Sequence, residues 1–332
     1  MTAPDLVRAA FAVLAVVALV LVLLRLSELV FVFVIAVVLS EGLRPAVDLL
    51  QRRGVHREIA HAVVYIVLIA LVVGAIAVLS RPVVAQARSV LISLPRYQAD
   101  VQHALDQLQL ETSVSSAISD AAATVAKAGF SFAANLAHGV VDAVIIVLLS
   151  FLWINAAPRL GGFLHGLIPP DRRDLATGMW TQIAAGFAGY VRGVAVNMIV
   201  IGLLTGAAAW LLGLPAPALL GVLAGITEMI PLVGPIIGAV PAVLLGFTIS
   251  PFYPLIVAGV YLVIQQVEAH TLVPLVMRQA VGLPPLVIVL SLATGAAVGG
   301  VGGALVAVPV AFATQVVIVR AVAPAIRARY AT

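Results

Sequence analysis

A carboxylate heads the segment Glu228-Met-Ile-Pro-Leu-Val-Gly-Pro-Ile-Ile-Gly-Ala-Val-Pro241, in which three prolines and two glycines interrupt a long apolar region. Between residues 193 and 319 the only fully charged side chains are Glu228, Glu268 and Arg278. Ionisable groups at membrane depth are costly, and they usually mark a pathway or a site. We therefore interpret this broken segment as part of a functional site inside a membrane.

The composition indicates an integral membrane protein. Of its 332 residues, 63% are hydrophobic and 10% are charged, whereas a soluble domain has roughly 25% charged residues. The apolar runs are continuous and lack the period-two alternation of barrel strands, which predicts helices. The net charge of +4 comes with arginines at the ends of apolar runs, so we read them as topology signals and expect no nucleic-acid partner. Because the sequence has no cysteine, thiolate metal sites are excluded, and we expect no metal or cofactor.

The apolar runs predict an all-α polytopic protein with about eight passes, since a pass takes ~20 residues. The first four runs are residues 9–24, 29–40 (extended by 41–50), 59–80 and 143–158, and about four more passes follow Arg192. We divide the chain into transmembrane helices 1–3 (residues 1–80), an extramembrane amphipathic helical segment (81–137) and a transmembrane core with Pro/Gly-broken segments (138–332). Some helices of the C-terminal half are expected to be broken or re-entrant, because backbone unpaired at membrane depth must be buried or line a cavity.

Arginine clusters predict the orientation. They lie between passes two and three, after pass four and near the end of the chain, at Arg44, Arg52, Arg53 and Arg57, at Arg159, Arg172 and Arg173, and at Arg320, Arg327 and Arg329. Cytoplasmic loops carry an excess of such residues, so we expect both termini in the cytoplasm and residues 81–137 outside. In that segment Tyr97, Val101, Leu105 and Leu108 recur at helical spacing. This helix would pack on the membrane domain or on a neighbouring subunit of a homo-oligomer, or act as a ligand-capturing lid.

Two stretches of the C-terminal half share one layout. One runs from Gly213-Leu-Pro215 to Pro241 and the other from Gly282-Leu-Pro284 to Pro309, with prolines 26 and 25 residues apart. Such a repeat is expected of discontinuous helices around a transport site, although chance is an alternative in a chain this rich in Pro and Gly. The spacing of Gly295, Gly299 and Gly303 indicates close helix packing. The predicted hinges are Pro231, Gly234, Pro235, Gly238, Pro241, Gly282 and Pro309, since proline removes a backbone donor and glycine frees the backbone.

A second polar cluster precedes the second stretch. On an α-helix Gln265, Glu268 and Thr271 would share a face and could hold a cation, a proton or a hydroxylated solute. Alternatively, Glu268 lies at the interface and pairs with Arg278. Arg192 either extends to the cytoplasmic surface or reaches inward to a glutamate. The candidate pathway residues are Glu228, Glu268, Gln265, Gln266, Arg192, His270 and Thr271, although His270 is more typical of a hydrogen-bonded structural group than of a metal ligand.

Four motifs together resemble the autoinducer-2 exporter (AI-2E) family of bacterial membrane proteins. They are Pro231-Leu-Val-Gly-Pro-Ile-Ile-Gly-Ala-Val-Pro241, Gln266-Val-Glu268 with the later Gly303-Ala-Leu-Val-Ala-Val-Pro309, Gly189-Tyr-Val-Arg-Gly193, and Leu43-Arg-Pro45. The resemblance covers nearly the whole chain and implies a multi-pass inner-membrane protein. It also implies export of the furanone autoinducer 2 or, as in some members, sodium (lithium)/proton antiport.

The sequence thus predicts a transporter that exports a small polar solute, coupled to a proton or sodium gradient through the buried carboxylates. A passive channel would need the same polar lining, and an envelope scaffold acting through residues 81–137 is a third hypothesis. We expect no enzymatic activity, because the sequence has no His-Glu-x-x-His motif, nucleophile elbow or paired aspartates in a span.

Overall fold

The computed structural model describes residues 26–107, 142–272 and 282–330, and these residues form helices and connecting turns without a strand. The helices are α1 (Ser27–Arg52), α2 (Arg57–Gln107), α3 (Asp142–Leu167), α4 (Arg173–Leu211), α5 (Pro217–Thr227), α6 (Gly234–Gly246), α7 (Tyr253–Val267), α8 (Pro285–Val317) and α9 (Ala323–Tyr330). Single π-helical turns, Glu268–Leu272 and Ile318–Val322, follow α7 and α8. The all-α fold is confirmed.

By length and composition, five helical stretches within the described ranges could cross a bilayer, although the last of them is broken at Gly299 and Gly300. They are Glu28–Arg52, Arg57–Val90, Asp142–Leu167, Pro170–Leu211 and Pro285–Val322. The first three correspond to the predicted passes two, three and four, while the predicted first pass lies outside the described residues. The chain is therefore a polytopic membrane protein.

Helix α2 is much longer than a bilayer requires. Its 51 residues span about 76 Å, whereas the apolar core is about 30 Å thick. The amphipathic segment predicted around Tyr97–Leu105 is helical up to Gln107, and it continues the third pass directly through Pro82 and Pro95. The rest of the predicted extramembrane segment, residues 108–137, lies outside the described part of the chain.

The first of the two similar stretches forms a short helical hairpin. Helices α5 and α6 have 11 and 13 residues, about 16 and 20 Å, so neither spans a bilayer alone. Leu232 in the turn between them has a φ of 69°. A Cβ on Gly238 would lie 2.9 Å from the Cα of Ala224, so the two limbs pack closely. Pro231 lies in the turn between the two helices.

The other hinges predicted in this stretch lie inside α6. Gly234 begins the helix, and Pro235 occupies its first turn. A backbone N–H at that position has no acceptor within the helix, so proline costs no hydrogen bond there. Pro241 lies within the helix and does not end it. The break is therefore confined to the turn between Thr227 and Gly234.

The second stretch is also a helical hairpin, although its break comes from glycines. Within α8 the backbone is non-helical at Gly299 and Gly300, and Gly300 has φ 54° and ψ −135°, which strongly favours glycine. A Cβ on Gly303 would collide with the carbonyl oxygen of Gly295, so the two limbs of α8, before and after this break, touch. Gly282 precedes α8 in non-helical backbone, whereas Pro309 lies inside the second limb and makes no break.

Two compact units can be distinguished. Among the described residues, the first contains 26–41, 146–187 and 282–330, with the α8 hairpin, and the second contains 42–107, 142–145 and 188–272, with the α5–α6 hairpin. The second unit has a core to which α4, α5, α6 and α7 all contribute. Its buried members are Ala209, Leu214, Leu220, Ala242, Val257 and Tyr261.

Candidate functional site

One amide joins two buried carboxylates inside the second unit. The Nδ2 of Asn197, on α4, donates to Glu268 Oε1 at 2.7 Å and to Glu228 Oε2 at 3.3 Å. The three residues are only 9%, 7% and 4% exposed, respectively. Glu228 follows the last residue of α5, and Glu268 opens the π turn after α7. Residues distant in sequence thus form one polar cluster, which we call the acid pair site (Asn197, Glu228 and Glu268).

Glycine packing brings α5 against α4 and so positions this site. A Cβ on Gly221 would lie 2.6 Å from the carbonyl oxygen of Gly202, and one on Gly225 would lie 2.6 Å from that of Met198. Small residues let helix backbones approach this closely. Since Met198 adjoins Asn197 and Gly225 lies one turn before Glu228, the contact places the carboxylate beside the amide.

The site has unused hydrogen-bonding capacity. The buried atoms Asn197 Oδ1, Glu228 Oε1 and Glu268 Oε2 have no hydrogen-bond partner in the described structure. Leaving buried polar atoms unpaired is costly, and each such atom calls for an explanation. Gln265 on α7 lies near the Glu228 carboxyl group. No group of three His, Asp or Glu side chains with metal-binding spacing occurs in the described ranges.

The other predicted pathway residues lie apart from this pair. Gln266, His270 and Thr271 are exposed, and His270 Nδ1 contacts the carbonyl of Gln266 at 2.9 Å. Thr271 does not share the buried face of Glu268 because the chain forms a π turn there instead of continuing the α-helix.

Arg192 makes a local contact instead of reaching the acid pair site. Its Nε donates to the carbonyl of Ala188 at 3.2 Å on the same helix, and within the described residues it forms no ion pair with either glutamate. The proposed alternative pairing of Glu268 with Arg278 concerns a residue outside the described structure.

Asn197 is the member of the site that the sequence analysis missed. It stands in Val194-Ala-Val-Asn197-Met-Ile-Val, an apolar run of α4 without another polar side chain. A lone amide in such a run is a recognised means of hydrogen bonding between membrane helices. That signal was present, but the charged residues and the proline-rich segment dominated the pattern.

Short helical hairpins and buried polar sites within a polytopic helical fold are features of membrane transport proteins. The chain belongs to the AI-2E transporter family, whose profile, described as "AI-2E family transporter", matches residues 11–323. It is similar to YueF of Bacillus subtilis (strain 168), with 26% identity over 86% of this chain and 82% of that protein. It is also similar to MT0215 of Mycobacterium tuberculosis (strain CDC 1551 / Oshkosh), with 28% identity over 89% and 83% of the two chains.

A further relative is YrrI of B. subtilis, with 32% identity over 46% of this chain and 43% of that protein. The full name of each of these three relatives contains the words "transport protein". Together with the family membership, they support a role in membrane transport.

Proposed function

We propose that this protein is a secondary transporter that exports a small polar solute resembling autoinducer 2, coupled to a proton or sodium gradient at the acid pair site. The observation that carries the proposal is the sharing of one Asn197 amide by two buried carboxylates, at 2.7 and 3.3 Å. The family resemblance suggests the solute class and the direction.

The physical reason for coupling is charge compensation. Two carboxylates held together in a buried place do not both remain ionised without a positive partner. The Asn197 amide is neutral, and within the described ranges no Arg or Lys pairs with either glutamate. A proton or a sodium ion would supply the missing charge. Coupling-ion sites of secondary transporters commonly lie where discontinuous helices leave oxygen atoms free.

The break at the end of α5 suggests how binding could be linked to movement. Glu228 lies in the turn between two short limbs, so a change in its charge acts on the α5–α6 hairpin. We further propose that the protein lies in the bacterial inner membrane with cytoplasmic termini and forms a homo-oligomer. The arginine positions support the orientation.

The decisive experiment is flux in proteoliposomes loaded with candidate solutes, including autoinducer 2, with and without proton and sodium gradients. Glu268→Gln is expected to abolish gradient-driven flux while retaining expression, because the neutral amide takes up neither a proton nor a cation. Gln266→Ala is the matched control, since this neighbouring side chain is exposed. Unchanged pH-dependent flux in Glu268→Gln would contradict the proposal.

Sodium (lithium)/proton antiport is the second candidate function. The three unpartnered oxygen atoms of the acid pair site favour it, because oxygen ligands suit hard cations. Vesicles containing a pH-sensitive dye separate the two functions. An antiporter would move protons on addition of sodium or lithium alone, whereas the coupled exporter would also need the organic solute.

A further inference from the structure

The hydroxyl group of Tyr261 is buried without a partner, and nothing in the acid pair site uses it. Tyr261 is 2% exposed, and its hydroxyl oxygen has no hydrogen-bond partner in the described structure. A tyrosine buried in a protein normally finds a partner for this group. Tyr253, on the same helix, does so by donating to the carbonyl of Leu212 at 2.8 Å.

Helical spacing connects Tyr261 with the acid pair site. Tyr261 and Gln265 stand at positions i and i+4 of α7, and Glu268, which follows the helix directly, stands at i+7, so the three lie along one face. Tyr261 therefore lies about one helical turn before Gln265 on the face that leads to the acid pair site. Glu268 and Tyr261 are both buried, whereas Leu262, the next residue and about 100° round the helix, is 65% exposed.

The surroundings hold the ring in place. Tyr261 packs among Ala209, Leu214, Leu220, Ala242 and Val257, all no more than 3% exposed. Turning the ring toward the surface would disrupt this core, so the hydroxyl keeps its place and its hydrogen-bonding capacity stays unused. In a transporter, a polar solute moving along this face of α7 would supply a partner.

We propose that the transport pathway passes Tyr261 and that its hydroxyl hydrogen-bonds the small polar solute as it moves past the acid pair site. This inference rests on the proposed transport function and extends it to solute recognition. A Tyr hydroxyl can donate and accept, which suits a hydroxylated or carbonyl-bearing solute.

Two measurements test the proposal. The natural chain contains no cysteine, so a single introduced thiol is modified without background. A water-soluble thiosulfonate reacts with the thiolate, which needs water. We expect Tyr261→Cys to react at least about tenfold faster than the lipid-facing Leu262→Cys in membrane vesicles. Reaction no faster than that of Leu262→Cys would overturn the proposal.

The second measurement separates recognition from packing. Tyr261→Phe keeps the ring and removes an unpartnered group, so thermal stability should stay equal or rise, while autoinducer 2 flux falls about fivefold. Tyr253→Phe removes a made hydrogen bond and should lower stability with flux retained. Wild-type flux in Tyr261→Phe would overturn the recognition role. The thiol measurement needs no transported solute. It therefore tests the position of Tyr261 in the pathway even if the Glu268→Gln variant shows that transport is not coupled.

Discussion

Asn197 is the residue through which the two glutamates interact, so its loss should affect both. Asn197→Ala leaves two buried carboxylates without their shared donor, and we expect a loss of about 1–3 kcal/mol in the free energy of unfolding. The loss should be smaller in a Glu268→Gln background, because residues of one hydrogen-bonded network are not additive. Unfolding in detergent of the two single variants and the double variant measures this coupling. Strict additivity would show that the three side chains are energetically independent.

Leu232 adopts a backbone conformation that disfavours an L-residue. Its φ is 69°, and its side chain is 55% exposed, so replacement removes little internal packing. Leu232→Gly is expected to raise stability by about 1 kcal/mol, because glycine adopts this conformation without a steric penalty. Leu232→Ala is the control, because it removes the side chain beyond the Cβ but keeps the Cβ itself. A midpoint temperature that rises equally in both variants would assign the gain to the lost side chain and not to the backbone.

At the level of residues, the sequence predicted the acids better than their surroundings. Glu228 and Glu268 stood out because they are two of three charges in an apolar region, and their burial follows. Their pairing could not be derived, because it depends on how closely α5 approaches α4. Thr271 was grouped with Glu268 on the assumption of an unbroken α-helix, and the π turn at Glu268–Leu272 changes that register.

The α4–α5 contact is the element that positions the acid pair site. A methyl group on Gly225 would lie 2.6 Å from the carbonyl oxygen of Met198, a backbone atom that cannot turn aside. Gly225→Ala should therefore separate the helices beside Asn197, lower stability by about 1–3 kcal/mol and reduce coupled flux.

Gly259→Ala is the matched control for this prediction. Gly259 lies on α7, and nothing lies within 4 Å of a Cβ placed there. This variant should be neutral or stabilising by up to about 1 kcal/mol, because alanine is the better helix former. Equal flux in Gly225→Ala and Gly259→Ala would show that the close α4–α5 approach is not required for the site.

The two hairpins show which breaks sequence patterns reveal. Three prolines between residues 231 and 241 indicated a break, because proline removes a backbone donor, but only Pro231 lies in the α5–α6 turn, whereas Pro235 and Pro241 lie inside α6. The turn in α8 was read as close packing, since glycine is common both in turns and in tightly packed helices. Its conformation at Gly300 depends on how the two limbs pair through Gly295 and Gly303, which hydropathy does not encode.

For the whole molecule, lipid is the solvent that these helices require. Only 6% of the most apolar 18-residue part of α2 is buried. Large side chains such as Leu71 and Val78 are 67% and 72% exposed. An apolar surface of this size is not found on soluble monomers. Apart from the donors missing at Pro82 and Pro95, the helical form of α2 pairs its backbone within the helix, as the bilayer demands. Its outward faces therefore match a membrane environment along the spanning part.

The arginine clusters predict which side of the membrane each loop faces. His56 lies between α1 and α2, and Asp171 lies between α3 and α4, each beside arginines. Two passes separate these positions, so both should face the cytoplasm, whereas Arg96 in the distal part of α2 should lie outside. In the cysteine-free chain, an impermeant maleimide should label Arg96→Cys in right-side-out vesicles, and His56→Cys and Asp171→Cys only in inside-out vesicles. Labelling of His56→Cys from outside would show that the orientation is the reverse of the predicted one. Labelling of His56→Cys and Asp171→Cys from opposite sides would contradict the assignment of α2 and α3 as passes.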